Sequence, residues 1–197
     1  MSPIILIMKN KSSGDIRSME VHFDIVNIVC TAKLSHSIKI DCLPKIFPNE
    51  IIYDKKIYGG RVAYFKSEFM QGKVTIFPSG KVISVGTKSI EEAIKELNLV
   101  AKALKSGLTE PEIRNIVATS DLGHMVDLEQ ISLIREISSI YEPEQFPGAI
   151  IKIPLSEENM ATILLFASGK LVCLGLKKLE DIKEAIVKLI SLINALS

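Results

Sequence analysis

FPSGKVISVG, residues Phe77 to Gly86, and FASGKLVCLG, residues Phe166 to Gly175, carry one frame twice. Each reads Phe-x-Ser-Gly-Lys, with a Gly after four more residues. Outward from these blocks the rest of the chain is doubled too. IVNIVCTAKLSH (Ile25 to His36) matches IRNIVATSDLGH (Ile113 to His124), and IIYDKKIYGG (Ile51 to Gly60) answers SIYEPEQFPG (Ser139 to Gly148). The separation is 88 for Asn27 to Asn115 and for Tyr53 to Tyr141, and 89 for Ser79 to Ser168. The second copy therefore holds one extra residue between Gly148 and Phe166. A period this long lies outside the roughly 20–50 residues of solenoid repeats. It implies a duplicated half-domain and a pseudo-twofold molecule, with a segment 1–18 ahead of copies at 19–108 and 109–197. The leading segment is expected to be a flexible arm or an edge strand.

The 197 residues suffice for one large or two small domains, and 47% are hydrophobic, enough for a sizeable core. No apolar run reaches the roughly 18 residues of a membrane span. The start, MSPIILIMKNKSSGD, lacks the basic region and cleavage site of a signal peptide. Cys30, Cys42 and Cys173 are odd in number and far apart, which reads as reduced thiols in an intracellular protein. Net charge is +1, but residues 1–108 hold 16 basic against 10 acidic side chains, and residues 109–197 hold 8 against 13. Halves of opposite sign suggest two partners, or one partner held in a fixed direction. Charge drift on solvated helix faces is the alternative.

Each copy reads as strand, helix, several strands and a final helix. HFDIVNIVCTAKL alternates and is β-branched, so it is a strand. VDLEQISLIREI spaces Val126, Ile131, Leu133, Ile134 and Ile137 as a helix would. Its counterpart SIKIDCLPKIF is weaker, because Pro44 is expected to end or kink it. RVAYFKSEF, KVTIFPSG and KVISVGT read as strands joined at Gln71-Gly72 and Ser79-Gly80. Ser89 and Glu92 form a capping box ahead of a helix with Ala93, Ile94, Leu97, Val100, Ala101 and Leu104 on its apolar stripe. LEDIKEAIVKLISLINAL repeats the pattern through Ile182, Ala185, Ile186, Leu189, Ile190, Ile193 and Leu196. The result is an α+β fold with an antiparallel sheet and helices on one face.

Strand alternation places Ile83 and Val85 on one face and Val82 and Ser84 on the other, and likewise Val172 and Leu174 opposite Leu171 and Cys173. Apolar residues on both faces suit a strand covered on both sides, or an uncovered face that binds something apolar. Paired aromatics near the strand ends, Tyr58 with Phe146 and Phe77 with Phe166, favour the second.

These blocks carry a resemblance. VNIV/RNIV, YEPEQFPG and the doubled F-x-SGK-x-V/I-x-x-G, over about residues 19–196, resemble the TATA-box-binding proteins in their archaeal form. The resemblance implies a saddle-shaped, curved antiparallel sheet with helices on the convex face, and a concave face that binds the DNA minor groove. Kinking by inserted side chains is a property of that family rather than something read from these residues. Carried over by position, Phe146 and Phe166 would be wedges at one end, with Tyr58 and Phe77 at the other. Asn27 and Asn115 would donate to base acceptors near the centre. Val29, Val117, Ile83 and Val172 would pack on the groove floor, with Val85 and Leu174 beside the asparagines. Lys81 and Lys170 would meet phosphates. Glu142, Glu144 and Gln145 match the loop that meets transcription factor B, through which RNA polymerase is recruited. The setting implied is cytoplasmic, associated with the nucleoid of an archaeal-type cell, and the apolar concave face leaves room for a homodimer of the free protein.

Three features depart from the family pattern: Tyr58 in place of Phe, Val85 and Leu174 in place of Thr, and the acidic loop Pro154 to Met160. They suit a divergent paralogue serving as a protein-interaction module with weak or altered DNA binding, which is the alternative reading. An enzyme finds no support. His22, His36, His124 and the cysteines show no metal-ligand spacing, and no nucleophile elbow, P-loop or dinucleotide fingerprint is present. No cofactor or metal is expected.

Overall fold

The computed structural model describes residues 5–7 and 18–196. The residues fall into two compact units that divide at Ile116/Val117. One is Ile25–Ile116. The other is Val117–Ser197 with the described residues up to Asp24. Strands β1 (Ile5–Ile7) and β2 (Ser18–Glu20) pair antiparallel. Most of the leading segment lies outside the described residues.

The unit Ile25–Ile116 contains β3 (Asp24–Lys33), α1 (Leu43–Ile46), β4 (Ile51–Ile52), β5 (Ala63–Phe65), β6 (Lys73–Ile76), β7 (Lys81–Thr87) and α2 (Ile90–Ala103). Its strands lie in the order β4-β5-β6-β7-β3, each antiparallel to its neighbour. Strand β8 (Glu112–Asp121) runs on from one unit into the other. The second unit adds α3 (Leu128–Ser132), β9 (Ser138–Ile140), β10 (Gly148–Pro154), β11 (Met160–Phe166), β12 (Lys170–Leu176) and α4 (Leu179–Asn194). Its order is β12-β11-β10-β9, again antiparallel throughout. The second unit thus repeats the internal plan of the first, in an α+β fold.

In each unit a long amphipathic helix covers one sheet face. Helix α2 packs on β6 and β7 through Ala93, Leu97, Val100 and Ala101, all buried. Helix α4 packs on β10, β11 and β12 through Ile182, Ala185, Ile186, Leu189 and Ile193. The helix-facing strand positions Val74, Ile76, Val82, Ile151, Ile163, Leu171 and Cys173 are closed to solvent and complete the cores. Such burial stabilises by about 25 cal/mol per Å² of apolar surface, which outweighs the modest helix propensity of each segment.

Three local expectations change. Helix α3 stops at Ser132, and the next two amides bond three residues back, Leu133 to Gln130 and Ile134 to Ile131. Ile131, Ile134 and Ile137 are all buried at a spacing of three, which a tightening turn serves as well as a helix. Leu133, read as part of the stripe, is 79% exposed. Pro44 begins rather than ends its helix: it sits in the first turn of α1, where a missing N–H costs nothing. The capping box is half made. Ser89 Oγ accepts from the Glu92 amide, but the Glu92 carboxylate takes the Gln71 side chain instead of reaching back.

The strand register also resolves the one-residue drift between copies into two opposed changes. Ile51 and Ser139, which pair with Phe65 and Ile151, stand 88 apart. Ala63 and Ala149, which pair with Ile76 and Leu165, stand only 86 apart. The β4–β5 loop of the first copy is therefore two residues longer than the β9–β10 loop. The second copy regains three between β10 and β11, since Phe65 pairs with Val74 but Ile151 with Ile163.

Candidate nucleic-acid interface

The face away from the helices is apolar and only partly covered. In the first unit it is built in cross-strand rows. Tyr64, Thr75, Ile83 and Thr31 align across β5, β6, β7 and β3. Lys73, Val85 and Val29 form the next row. In the second unit Ile150, Leu164 and Val172 align across β10, β11 and β12, followed by Lys152, Thr162 and Leu174. Val29, Ile83, Val85, Val117, Val172 and Leu174 are all half-buried, whereas their strand neighbours Cys30, Val82, Ser84, Ala118, Leu171 and Cys173 are fully buried on the helix side. Each strand thus has one face in the core and one apolar face that no helix of its own unit covers.

In each unit a hairpin tip borders this face. The doubled Ser-Gly-Lys is a tight turn in both copies. Gly80 donates to the Phe77 carbonyl and Gly169 to the Phe166 carbonyl, at 3.0 and 2.8 Å. Both glycines have φ near +85°, at +83° and +88°, and an added Cβ would strike the His36 and His124 carbonyl oxygens at 2.6 and 2.1 Å. Only glycine allows that approach. Lys81 and Lys170, next in sequence, are exposed and share the parity of the open face.

The polar group on β3 is defined by its hydrogen bond. Asn27 is half-buried on β3, and its Oδ1 accepts from the Gly86 amide at 2.8 Å. Gly86 has φ +100° and lies where the β3–β7 register shifts between Ile28 and Val29. An N–H can bond only the oxygen of the amide, so this contact fixes the side-chain flip and commits the NH₂ to the role of donor. Asn115 holds the same strand position on β8 and is half-buried too.

The aromatics differ between copies. Phe146 and Phe166 form a ring pair, with centroids 5.7 Å apart and planes tilted by 60°. Gly148 leaves them room: a Cβ there would sit 3.0 Å from Phe146 and 3.2 Å from Phe166. Phe77 is half-buried. Tyr58 is 72% exposed, and among the described residues no ring contact joins it to Phe77. Its equivalence to Phe146 holds only when counted from β4. Counted back from β5, Gly60 occupies that place. The constant offset between copies fails at this loop because the extra residues lie inside it.

Glu142, Glu144 and Gln145 are exposed on the β9–β10 loop. Gln145 and Phe146 both donate backbone bonds to the Glu142 carbonyl, at 2.9 and 3.0 Å, so a single turn sets both the acidic tip and the Phe146 ring. Lys73 and Lys152 share the open face and were missed in the sequence reading; strand parity with Thr75 and Ile150 was the available signal. Lys73 Nζ lies 4.7 Å from the Tyr64 ring centroid, a cation–π contact. Among the described residues no grouping of His, Cys, Asp and Glu could hold a metal ion.

A family model described as transcription factor TFIID (or TATA-binding protein, TBP) matches residues 22–106 and 110–196. The chain is 35% identical over 179 residues to the TATA-box-binding protein of Cenarchaeum symbiosum, covering 86% of this chain and 93% of that one. It is 36% identical over 182 residues to the TATA-box-binding protein of Methanocaldococcus jannaschii, covering 89% and 96%. The solved structure of Methanococcus jannaschii TBP matches with a TM-score of 0.72 at 33% identity, over 88% of this chain and 99% of that chain.

Proposed function

The chain belongs to the TATA-binding protein family, and from that premise we propose that it is a general transcription factor which binds A·T-rich promoter DNA in the minor groove and distorts it with its aromatic tips. It is a DNA-binding factor and not an enzyme. The observation that carries the proposal is the doubled apolar face, with a committed amide donor on β3 and lysines along its rows. The minor groove presents few distinguishing groups, so it is read chiefly as A·T against G·C and through width and deformability. An apolar surface suits a widened groove floor. The Asn27 NH₂ suits adenine N3 or thymine O2, whereas a guanine amino group would confront it with another donor. Phe146 with Phe166, and Phe77 with Tyr58, form the aromatic tips that meet the DNA, and Lys81 and Lys170 meet phosphates. Each repeat serves one half of a site that looks nearly the same from either strand, which is why the Ser-Gly-Lys frame is written twice. The acidic loop Glu142–Gln145 recruits transcription factor B, and RNA polymerase through it.

Mobility shift on an A·T-rich duplex and its G·C-substituted counterpart, over a salt titration, tests this reading. Tight binding confined to the A·T-rich duplex is the expected result. Equal affinity for both would remove the A·T selectivity, and binding to transcription factor B without any duplex binding would instead favour a protein-interaction module.

A further inference from the structure

The two aromatic tips are built differently, and we infer that they distort DNA unequally: the Phe146–Phe166 tip makes the kink, and the Tyr58 tip is an adjustable contact. The inference rests on the minor-groove reading above and deepens it.

The second-repeat tip is preorganised. Phe146 is three residues ahead of Ala149, which is locked into register opposite Leu165. Its ring rests on Phe166, and Gly148 provides the space for both rings. The next residue is Pro147, whose ring restricts Phe146 to extended backbone. A side chain already held in place loses little conformational freedom on insertion between base pairs.

The first-repeat tip lacks each of these supports. Its loop is two residues longer, judged by register from both flanking strands. Tyr58 itself has φ +49°, followed by Gly59 at +63° and Gly60 at +70°, a left-handed run of three. Counted from β4, Gly59 stands where the other loop has Pro147, and a Cβ there would meet nothing within 4 Å. Tyr58 is 72% exposed, and its hydroxyl would lose hydration in a base stack. Lys55, Lys56 and Arg61 flank it, where the other tip carries Glu142 and Glu144. A basic, exposed tip on a longer loop suits a phosphate-rich groove edge of variable shape. It does not suit a fixed intercalating wedge.

Energy transfer across an end-labelled A·T-rich duplex gives the bend, and fluorescence anisotropy on the same duplex gives the affinity. Tyr58→Ala is expected to weaken binding by about threefold and to lower the bend slightly, whereas Phe146→Ala is expected to weaken it at least about tenfold and remove most of the bend. Phe146→Leu, which keeps apolar volume but loses the ring pair with Phe166, should bend less than wild type, and circular dichroism melting of all three verifies folding. If Phe146→Ala does not fold, Phe146→Leu supplies the comparison. Losses from Tyr58→Ala as large as those from Phe146→Leu would overturn the inference while leaving the minor-groove reading intact. A wild-type protein that binds no duplex would reject that reading, and this inference with it.

Discussion

The Asn27 side chain serves two ends, and its two ends are separable. Its oxygen satisfies the Gly86 amide, and its NH₂ remains the donor. Asn27→Ala should therefore reduce both stability, by about 1 kcal/mol for the lost bond, and DNA affinity. Asn27→Asp keeps the acceptor for Gly86 but removes the donor and adds a charge. It should melt close to wild type yet bind an A·T-rich duplex at least about tenfold more weakly. Retained affinity in Asn27→Asp would show that the asparagine is structural alone. The cysteines give a second residue-level expectation. Burial pushes the Cys173 thiol up from 9.0 to about 12, and raises Cys30 as well, while Cys42 is exposed. A raised thiol pKa leaves folding stability intact below about pH 9 and erodes it as pH climbs toward 12, because only the unfolded chain then ionises freely. The melting temperature of wild type should fall more steeply over that range than that of Cys173→Ala. At neutral pH a thiol reagent should modify Cys42 alone until the protein is denatured.

At the scale of elements, equivalent loops have diverged while the order and antiparallel pairing of the strands that carry them have not. The β9–β10 loop is acidic, and a tight turn closed on the Glu142 carbonyl holds it. Reversing Glu142 and Glu144 to Lys touches no core contact, so the melting temperature should hold. The complex with transcription factor B and DNA should weaken markedly, whereas binding to DNA alone should persist or tighten through the added positive charge. Equal loss in a two-component and a three-component mobility shift would assign the loop to DNA or to folding. The acidic segment between β10 and β11 has a separate anchorage. Lys188 donates to the Pro154 carbonyl at 2.7 Å and Asn159 to Asp181 at 2.8 Å, which fastens it to α4.

For the whole molecule, charge is the property that the duplication did not preserve. The first half carries a basic surplus and the second an acidic one. The open-face lysines follow: Lys33, Lys73 and Lys81 in the first unit, Lys152 and Lys170 in the second. Each lysine that neutralises a phosphate releases counterions and adds about 0.9 to the slope of log affinity against log salt. Lys81→Ala should lower that slope by about this amount and weaken all duplexes alike, since a phosphate contact carries no sequence information. A change in A·T preference without a change in slope would remove Lys81 from the phosphate contacts. No helix among the described residues is long and apolar enough to cross a membrane.

Much of this was legible in the linear order of residues. The repeat, the antiparallel strands, the two amphipathic helices and the apolar parity of Ile83, Val85, Val172 and Leu174 all depend on short-range periodicity, which survives without knowledge of packing. So did the Ser-Gly-Lys turns, since a Gly at positive φ is a local requirement. Other features arise only where distant segments meet. Glu96 is a charged residue of α2, yet it is buried, accepting from the Gly72 amide at 2.7 Å and Ser84 Oγ at 3.0 Å. Its carboxylate is tolerable there because two donors, one from the turn ahead of β6 and one from β7, meet it. Lys66, by contrast, makes a local closure, donating to the Met70, Gln71 and Gly72 carbonyls. The inequality of the aromatic tips was hidden for the same reason as the burial of Glu96. A constant sequence offset equates Tyr58 with Phe146, but register is set by hydrogen bonds between strands, and only those pairings reveal that two residues were added on one side and three on the other.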